Sequence, residues 1–419
     1  MATVLRRTLV AAASVATLVL ISIPLAAPGA ALVPGAEGSV EAPGWLLGLF
    51  GNGFGLSPGV YLGLLYAAVL VWIALIALAD RLDRRVVAAA IGALILLFTL
   101  APPLLSLDVF SYIAYARLGV QEGLNPYDFA PAAIPADEAA MRVRAFRDAV
   151  SVYGPLFTLL SYPLGALGVP VALWSLKVLA ALSVAGIAAL TARLATMRGV
   201  EPRAAAAFVA LNPLVLVHVV GGGHNDAVMA LLVVGAVALV GGSRPLAGGA
   251  AIVAGMALKA AGALIAPFAV VGARRPERGR LLGGIALAAL VTAAAALAAF
   301  GSSALEALSV AGNNQSTVSR WSVPGTLSRI SGIDVDLLRF VVGAAYAVAV
   351  LALLRWVALG ADWVRAAGWA TFGLLLASAY MTPWYLIWLL PLAAISRDRA
   401  LLAATAAFTI FQTINAVPV

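Results

Sequence analysis

The sequence predicts an all-α, polytopic integral membrane protein with about thirteen transmembrane helices. Of its 419 residues, 63% are hydrophobic and only 11% are charged, whereas charged residues make up roughly 25% of an ordinary soluble domain. The mean hydropathy is +1.04. Apolar runs of about 20 residues, the length at which a helix crosses a bilayer, recur along the chain. These three observations exclude an ordinary soluble domain.

The predicted spans are apolar runs bounded by proline, glycine or polar residues. The run 151–169 is also apolar, but it is short and contains Pro155 and Pro163, so it is predicted as an interfacial or re-entrant helix instead. In chain order the thirteen predicted spans cover 8–27, 58–79, 86–106, 170–192, 204–220, 226–241, 245–258, 260–272, 281–300, 338–357, 366–381, 384–395 and 400–417.

The arginines predict the orientation, because the cytoplasmic loops of membrane proteins are enriched in Lys and Arg. With the N-terminal arginines inside, seventeen arginines fall in inner segments and seven in outer ones. Three loops then face outward, namely 29–57, 107–169 with its juxtamembrane helices, and 301–336. Residues 1–30 also fit a cleaved signal, although their apolar run is long for that role. The whole chain, 1–419, is predicted as a single transmembrane domain.

Composition also limits the chemistry of the chain. Its net charge of +8 follows from arginines that flank spans, so no nucleic-acid partner is predicted. The chain has no cysteine and only two histidines. Disulfides, thiolate ligands and cysteine nucleophiles are therefore excluded, and we predict neither a metal site nor a cofactor.

Asp108 is the first candidate site residue, because a carboxylate at the edge of a span is unfavourable unless it faces water or a partner. It lies in "LLSLDVFSYIAYARLG", between an apolar run and a run of aromatic residues. One interpretation is structural: the carboxylate caps the following helix or pairs with Arg117. The other is a general base for an acceptor hydroxyl, with a proton affinity raised by partial burial.

The segment "GGGHNDA", residues 221–227, places His224, Asn225 and Asp226 directly after three glycines. Asn225 or Asp226 alone would fit an N-cap of the next helix. Glycine lets a backbone approach a ligand closely, and the three polar side chains offer the donors and acceptors that sugar hydroxyls require. All three are therefore candidate substrate-binding residues.

The only two lysines of the chain, Lys177 and Lys259, both lie in apolar runs. A charge centred in a span costs about 2.5 to 3.5 kcal/mol on insertion scales, so each needs a counter-ion, a route to the interface or a ligand. Lys177 fits a side chain that extends to the outer interface. Lys259 divides "AGMALKAAGALIAPF" into two short helices, which predicts a cavity at partial depth. Its partner there would be a lipid phosphate, or a buried Asp226 or Asp108.

Aromatic residues follow the helix break in "SAYMTPWYLIWLLPL". Trp384 and Tyr385 fit an interfacial aromatic belt, but aromatic faces also stack on sugars, so both are candidate substrate-binding residues. The polar loop 301–336 would cover the site as a lid, and its Arg320 is a further candidate. His218 in "NPLVLVHVV" is interpreted as a packed helix residue.

Three segments resemble a known family: "DVFSYIAYARLGVQEGLNPYDF", "LNPLVLVHVVGGGHNDAVMALL" and "MTPWYLIWLLPL". They are similar to segments of the actinobacterial polyprenol-phosphate-mannose-dependent α-1,6-mannosyltransferases, which have the GT-C fold. The resemblance covers most of the chain from about Tyr61 onward. It implies a GT-C-like fold and a site at the outer face of a bacterial plasma membrane.

The resemblance implies an inverting glycosyltransferase that moves mannose from a polyprenyl-phosphate donor onto a growing α-1,6-mannan or lipomannan-type glycolipid. Asp108 matches the family's catalytic aspartate and would be the base for the acceptor hydroxyl. Lys259 would neutralise the departing lipid phosphate, and His224 and Asp226 would orient donor or acceptor. The chain lacks a second acidic pair beside Asp226, in contrast to metal-dependent relatives.

Two alternatives stay open at this level. A transporter or flippase for a lipid-linked sugar would have a similar composition, but no pair of corresponding broken helices marks two inverted halves of this sequence. A GT-C transferase for another sugar, such as arabinose or glucose, fits all the observations above.

Overall fold

The fold is helical throughout the part of the chain that is described. The structure is a computed structural model, and every regular element in its described residues is a helix, which confirms the all-α prediction. The described residues are 2–34, 43–51, 53–144, 146–304 and 317–417. Residues 35–42 of the predicted outer loop 29–57 and residues 305–316 of the predicted lid lie outside them.

The α-helices of the described residues fall into two groups along the chain, before and after residues 305–316. The first group comprises α1 (Ala2–Ala26), α2 (Pro58–Ile76), α3 (Arg84–Leu100), α4 (Asp108–Gln121), α5 (Pro155–Gly165), α6 (Val169–Met197), α7 (Pro202–Ala210), α8 (Asp226–Gly241), α9 (Pro245–Leu258), α10 (Ile265–Gly272) and α11 (Arg275–Phe300). The second comprises α12 (Val323–Ser331), α13 (Val335–Ala358), α14 (Trp363–Ala377), α15 (Leu386–Ile395) and α16 (Arg399–Thr413).

Three shorter turns interrupt these helices near the candidate site residues. A π-helical turn, Val215–Gly221, follows α7 and ends at the glycine-rich segment. A 3₁₀ turn, Ala260–Leu264, joins α9 to α10, and another, Pro383–Tyr385, precedes α15. The predicted breaks at Lys259 and before Trp384 are therefore present.

Helix starts follow local sequence signals. Ser57 accepts a hydrogen bond from the backbone N–H of Val60 at the start of α2, and proline occupies the first helical position there. The Asp398 carboxylate likewise accepts from the first backbone N–H groups of α16. Such caps satisfy donors that have no partner within the helix.

Each predicted span overlaps a helix, but the count of thirteen spans is not confirmed. Among the described residues, five helices are long and apolar enough to cross a membrane: α1, α2, α6, α11 and α13. A sixth span arises if α7 and the following π turn, which meet at 62°, are counted together. The shorter apolar helices have 10–17 residues, and a helix of 14 residues rises only about 21 Å, less than the hydrocarbon core of a bilayer.

The long helices differ in how deeply they are buried. In the most apolar window of α6, 56% of the residues are buried inside the protein, whereas in α13 none is. The core is formed around α6, α7 and α15. All ten residues of α15 are buried. Helix α5, in the run predicted as interfacial, packs against α4 and α9. This packing brings α4 next to the break after α9, where the candidate site lies.

Candidate active site

A cavity of about 240 Å³ lies between the start of α4, the break after α9 and the 3₁₀ turn before α15. Four of the residues predicted from the sequence line it: Asp108, Lys259, Trp384 and Tyr385. Its polar and aromatic wall is completed by Ser111, Tyr115, Tyr153, Ser378, Tyr380 and Trp388. Residues that are far apart in the sequence therefore meet in one polar, aromatic cavity.

Asp108 is the first residue of α4, and its side chain remains 24% exposed. Its backbone N–H donates to the Ser106 hydroxyl at 3.2 Å. The predicted structural alternative of a pair with Arg117 is wrong, because the Arg117 guanidinium donates to Asp137 instead. Among the described residues, the carboxylate thus faces the cavity without an arginine partner.

The surroundings of Asp108 make it a stronger base than an ordinary aspartate. Burial raises its pKa from 3.8 to about 6, as expected for a carboxylate removed from water. The positive charge of Lys259 and a hydrogen bond from Ser106 act in the opposite direction, while the negative charge of Asp226 adds to the rise in pKa. General bases work best when their pKa lies near the operating pH.

Lys259 occupies the break between α9 and the following 3₁₀ turn, in an extended conformation with φ −156° and ψ 129°. Its ammonium group donates to the Asp226 carboxylate at 2.7 Å and lies 4.6 Å from the centre of the Tyr385 ring. Of the alternatives that the sequence left open, a pair with Asp226 is therefore present. An ammonium group has three protons, and the side chain remains 20% exposed, so a further hydrogen bond into the cavity is available.

Asp226 is fully buried behind Lys259. Its Oδ1 atom accepts from the indole N–H of Trp388 at 2.7 Å as well as from Lys259. Its second oxygen has no partner among the described residues. Asn225 precedes α8, but its side chain makes no capping hydrogen bond. The Asn225 side chain is therefore not an N-cap of α8. The Asp226 carboxylate pairs with Lys259.

His224 and Asn225 are buried behind the cavity wall and do not line it. The His224 ring stacks on Trp384, with ring centres 3.9 Å apart and an angle of 19°. The Tyr112 hydroxyl donates to Asn225 at 3.3 Å and lies 3.4 Å from the His224 Nδ1 atom. Burial lowers the pKa of His224 well below its usual range, so its 3.6 Å contact with Asp108 involves a neutral ring.

Gly154 brings the loop after α4 against the break that carries Lys259. Its N–H donates to the backbone oxygen of Leu258 at 3.1 Å. A Cβ atom at this position would lie 2.1 Å from the backbone oxygen of Ala257. Only glycine permits this approach, which fixes Tyr153 next to Lys259 in the cavity wall.

Lys177 is the other lysine, and it is completely buried. Its ammonium group donates to three backbone oxygens, those of Gly221 at 2.6 Å, Phe98 at 3.1 Å and Pro102 at 3.2 Å. The prediction that it extends to the outer interface is wrong. It joins the end of α3 to the start of the glycine-rich segment.

Arg320 does not line the cavity of Asp108. It lines a second cavity of about 620 Å³, together with His218. His218, which the sequence analysis interpreted as a packed helix residue, is buried in the π turn and borders this cavity. Its position in an apolar segment is a weak signal by itself, because the π turn that directs it toward this cavity is not visible in the sequence. No group of three or more metal-ligating side chains occurs among the described residues, and the absence of a metal stays a prediction.

Comparisons with known proteins agree with the resemblance seen in the sequence. The family model for the alpha-(1->6)-mannopyranosyltransferase N-terminal domain matches residues 12–275. Alpha-(1->6)-mannopyranosyltransferase A of Mycobacterium tuberculosis is 32% identical over 202 residues, which is 42% of this chain and 37% of that protein. Its namesake in Corynebacterium glutamicum is 27% identical over 158 residues, 37% of this chain and 32% of that protein.

A third relative, alpha-(1->6)-mannopyranosyltransferase Rv1459c of Mycobacterium tuberculosis, is 32% identical over 136 residues, 31% of this chain and 23% of that protein. Each of these matches covers less than two fifths of the relative's own length. No solved structure matches the chain significantly. The family model, however, extends over more than half of the chain and includes Asp108, Asp226 and Lys259. The chain belongs to the alpha-(1->6)-mannopyranosyltransferase family.

Proposed function

We propose that the chain is an inverting glycosyltransferase. It moves mannose from a polyprenyl-phosphate donor onto a growing α-1,6-mannan or lipomannan-type acceptor. The single observation that carries this proposal is the placement of Asp108 and Lys259 in one cavity, with aromatic residues between them. A base and a cation around a common space are the two groups that sugar transfer from a phosphate requires. Family membership supports mannose as the sugar.

In the proposed reaction, Asp108 accepts the proton of an acceptor hydroxyl as its oxygen attacks C1 of the mannosyl phosphate. The bond between C1 and the phosphate oxygen breaks, and the electron pair leaves with the lipid phosphate. Lys259 stabilises the negative charge that develops on this phosphate. One displacement from the opposite face converts a β-linked donor into an α-linked product, so no covalent enzyme intermediate is needed.

The buried residues would position these two groups. Asp226 holds the Lys259 ammonium at 2.7 Å, and His224 and Asn225 support the wall formed by Trp384 and the start of α4. Trp384 and Tyr385 would offer ring surface to the sugar. Asp226, His224 and Asn225 would act through their contacts with lining residues, because they do not line the cavity themselves.

The membrane arrangement belongs to the same proposal. The chain would form one domain, 1–419, of about thirteen membrane-inserted helices in a bacterial plasma membrane, with loops 107–169 and 301–336 outside. The arginine distribution supports this orientation. Donor and acceptor would then meet at the outer face, where the lipid-linked donor arrives from within the bilayer.

Replacement of Asp108 by asparagine tests the proposed base. Asp108→Asn keeps the size and polarity of the side chain but cannot accept the proton, so transfer should slow by roughly 100-fold or more. Donor binding and thermal stability should persist, because asparagine is also a good residue at helix starts. The measurement is mannose transfer by the purified protein in vesicles that contain polyprenyl-phosphate mannose.

The matched control is Asp83→Asn, which changes a carboxylate that caps α3 and does not line the cavity, and it should leave transfer within about twofold. A folded Asp108→Asn protein that transfers mannose at a near-normal rate would remove the catalytic assignment. Movement of the lipid-linked sugar across the vesicle membrane without bond formation would instead identify a flippase.

A further inference from the structure

A second cavity lies directly beside the cavity of Asp108. It has a volume of about 620 Å³, and Tyr380 and Trp384 line both cavities. It lies between the π turn that follows α7, the start of α12 and the end of α16. The described lining of this larger space includes neither Asp108 nor Lys259, so it is distinct from the proposed reaction site.

His218 is the most informative residue of the second cavity. Only 1% of its surface is exposed, yet neither ring nitrogen has a hydrogen-bond partner among the described residues. It lies in the π turn, a rare geometry that often occurs at functional sites. The buried Thr382 hydroxyl also lines this cavity and lies beside the Tyr385 hydroxyl. Buried polar groups in proteins are normally satisfied, so a buried imidazole without a partner on the wall of a cavity indicates a polar ligand.

The remaining lining determines which polar ligand fits. Trp321 and Trp384 supply aromatic surface, and Ser319 and Asn415 supply neutral polar groups. None of the described lining residues carries a carboxylate, which disfavours a cationic ligand. The one cationic group among them, Arg320, lies over the Trp321 ring at 5.4 Å. Aromatic faces combined with neutral donors and acceptors match the alternating apolar and hydroxyl surfaces of a hexose.

We propose that the second cavity binds hexose residues of the acceptor chain, next to the residue whose hydroxyl reacts at Asp108. This proposal rests on the proposed function. The cavity is larger than the one that holds Asp108 and Lys259, as a chain of several sugars requires. Trp384 forms part of both walls, so the reacting sugar and the sugars that precede it would contact the same indole.

The decisive experiment measures how two changes in the second cavity affect use of the acceptor. His218→Phe keeps a ring of similar shape and removes both nitrogens, and Trp321→Leu keeps apolar volume and removes the aromatic face. Each should raise the KM for a synthetic α-1,6-linked mannose trisaccharide about tenfold, the size expected for the loss of one or two neutral contacts. The KM for the polyprenyl-phosphate donor should change by much less.

The control is Trp356→Leu, which replaces a surface tryptophan that lines neither cavity and should leave both KM values unchanged. A direct measurement is independent of turnover: calorimetric titration of the trisaccharide into Asp108→Asn protein without donor. His218→Phe or Trp321→Leu is then added to the Asp108→Asn protein. Trisaccharide binding that is about tenfold weaker in either double variant supports the proposal.

The outcomes separate the two proposals. If the wild-type protein transfers mannose but neither cavity change alters trisaccharide KM or binding, the second cavity is not an acceptor site, and the proposed function stands. If the trisaccharide binds through His218 and Trp321 but no mannose is transferred, the acceptor site stands and the proposed function fails. If the same changes weaken the binding of a polyprenyl monophosphate and leave trisaccharide binding unchanged, the acceptor site is also overturned.

Discussion

The regions around the two lysines show how one sequence signal can have two different structural meanings. Lys177 and Lys259 both interrupt apolar runs. Lys177 is fully buried and donates only to backbone oxygens. Lys259 is partly exposed, pairs with the carboxylate of Asp226, and lines the cavity of the proposed reaction. The identity of the partner, rather than burial alone, distinguishes a lysine that holds the fold from one that can meet a ligand.

The first way to test this comparison is to remove the charge of Lys259. Lys259→Met should lower mannose transfer by about 100- to 1,000-fold, the usual loss when a group that stabilises transition-state charge is deleted. It also leaves the buried Asp226 without its counter-ion, which destabilises a protein by about 3–5 kcal/mol. The measurements are transfer rate and thermal unfolding in the same vesicles or detergent.

The double variant Lys259→Met with Asp226→Asn sharpens this test. Removing both charges should restore most of the stability, while transfer stays low, because no cation faces the lipid phosphate. Restored transfer in this double variant would show that Lys259 has only a structural role.

The corresponding change at Lys177 should give the opposite pattern. Lys177→Met leaves three backbone oxygens without their donor and should lower the free energy of unfolding by about 2–4 kcal/mol. Transfer per folded molecule should fall far less than in Lys259→Met, because Lys177 does not line the cavity. Its partners are main-chain groups, so no second substitution can neutralise the loss. An inactive but fully stable Lys177→Met protein would contradict the structural role.

The pH dependence of transfer should differ between the two lysine variants by a small amount, but this difference is the most specific one. The proposed base acts only when deprotonated, so with a pKa of about 6 for Asp108 the rate should fall about tenfold per pH unit below pH 6. Since Lys259 lowers this pKa, Lys259→Met should move the acid limb to higher pH. Lys177→Met should leave it in place. A profile that is flat from pH 7 to pH 5 in the wild type would exclude Asp108 as the base.

Much of the fold could be predicted from the sequence because apolar runs and helix breakers are local signals. The breaks at Lys259 and before Trp384 are present where proline, glycine and lysine indicated them. The number of complete spans could not be predicted in the same way. The helices α9 and α11 both contain long apolar runs, but only α11 is long enough to cross a membrane.

The candidate site was predictable to a different extent. Asp108 and Lys259 stand out individually because charge is rare in this chain, and the structure brings them to one cavity. The pair of Asp226 with Lys259 was among the alternatives drawn from the sequence, but its second partner, Trp388, could not be derived from local pattern, because Trp388 lies 162 positions away in the sequence. For the same reason the sequence did not separate Arg320 from the residues around Asp108.

The contact of Gly154 with the end of α9 shows how the main chain shapes the cavity wall. The loop after α4 contacts the segment before Lys259 through main-chain atoms of Gly154, at a separation that leaves no room for a side chain at this position. The main chain therefore sets how closely this loop approaches Lys259, while the Asp226 carboxylate holds the Lys259 ammonium group. Side chains of the cavity lining could therefore change without disturbing this contact, whereas a larger residue at position 154 would force the two segments apart.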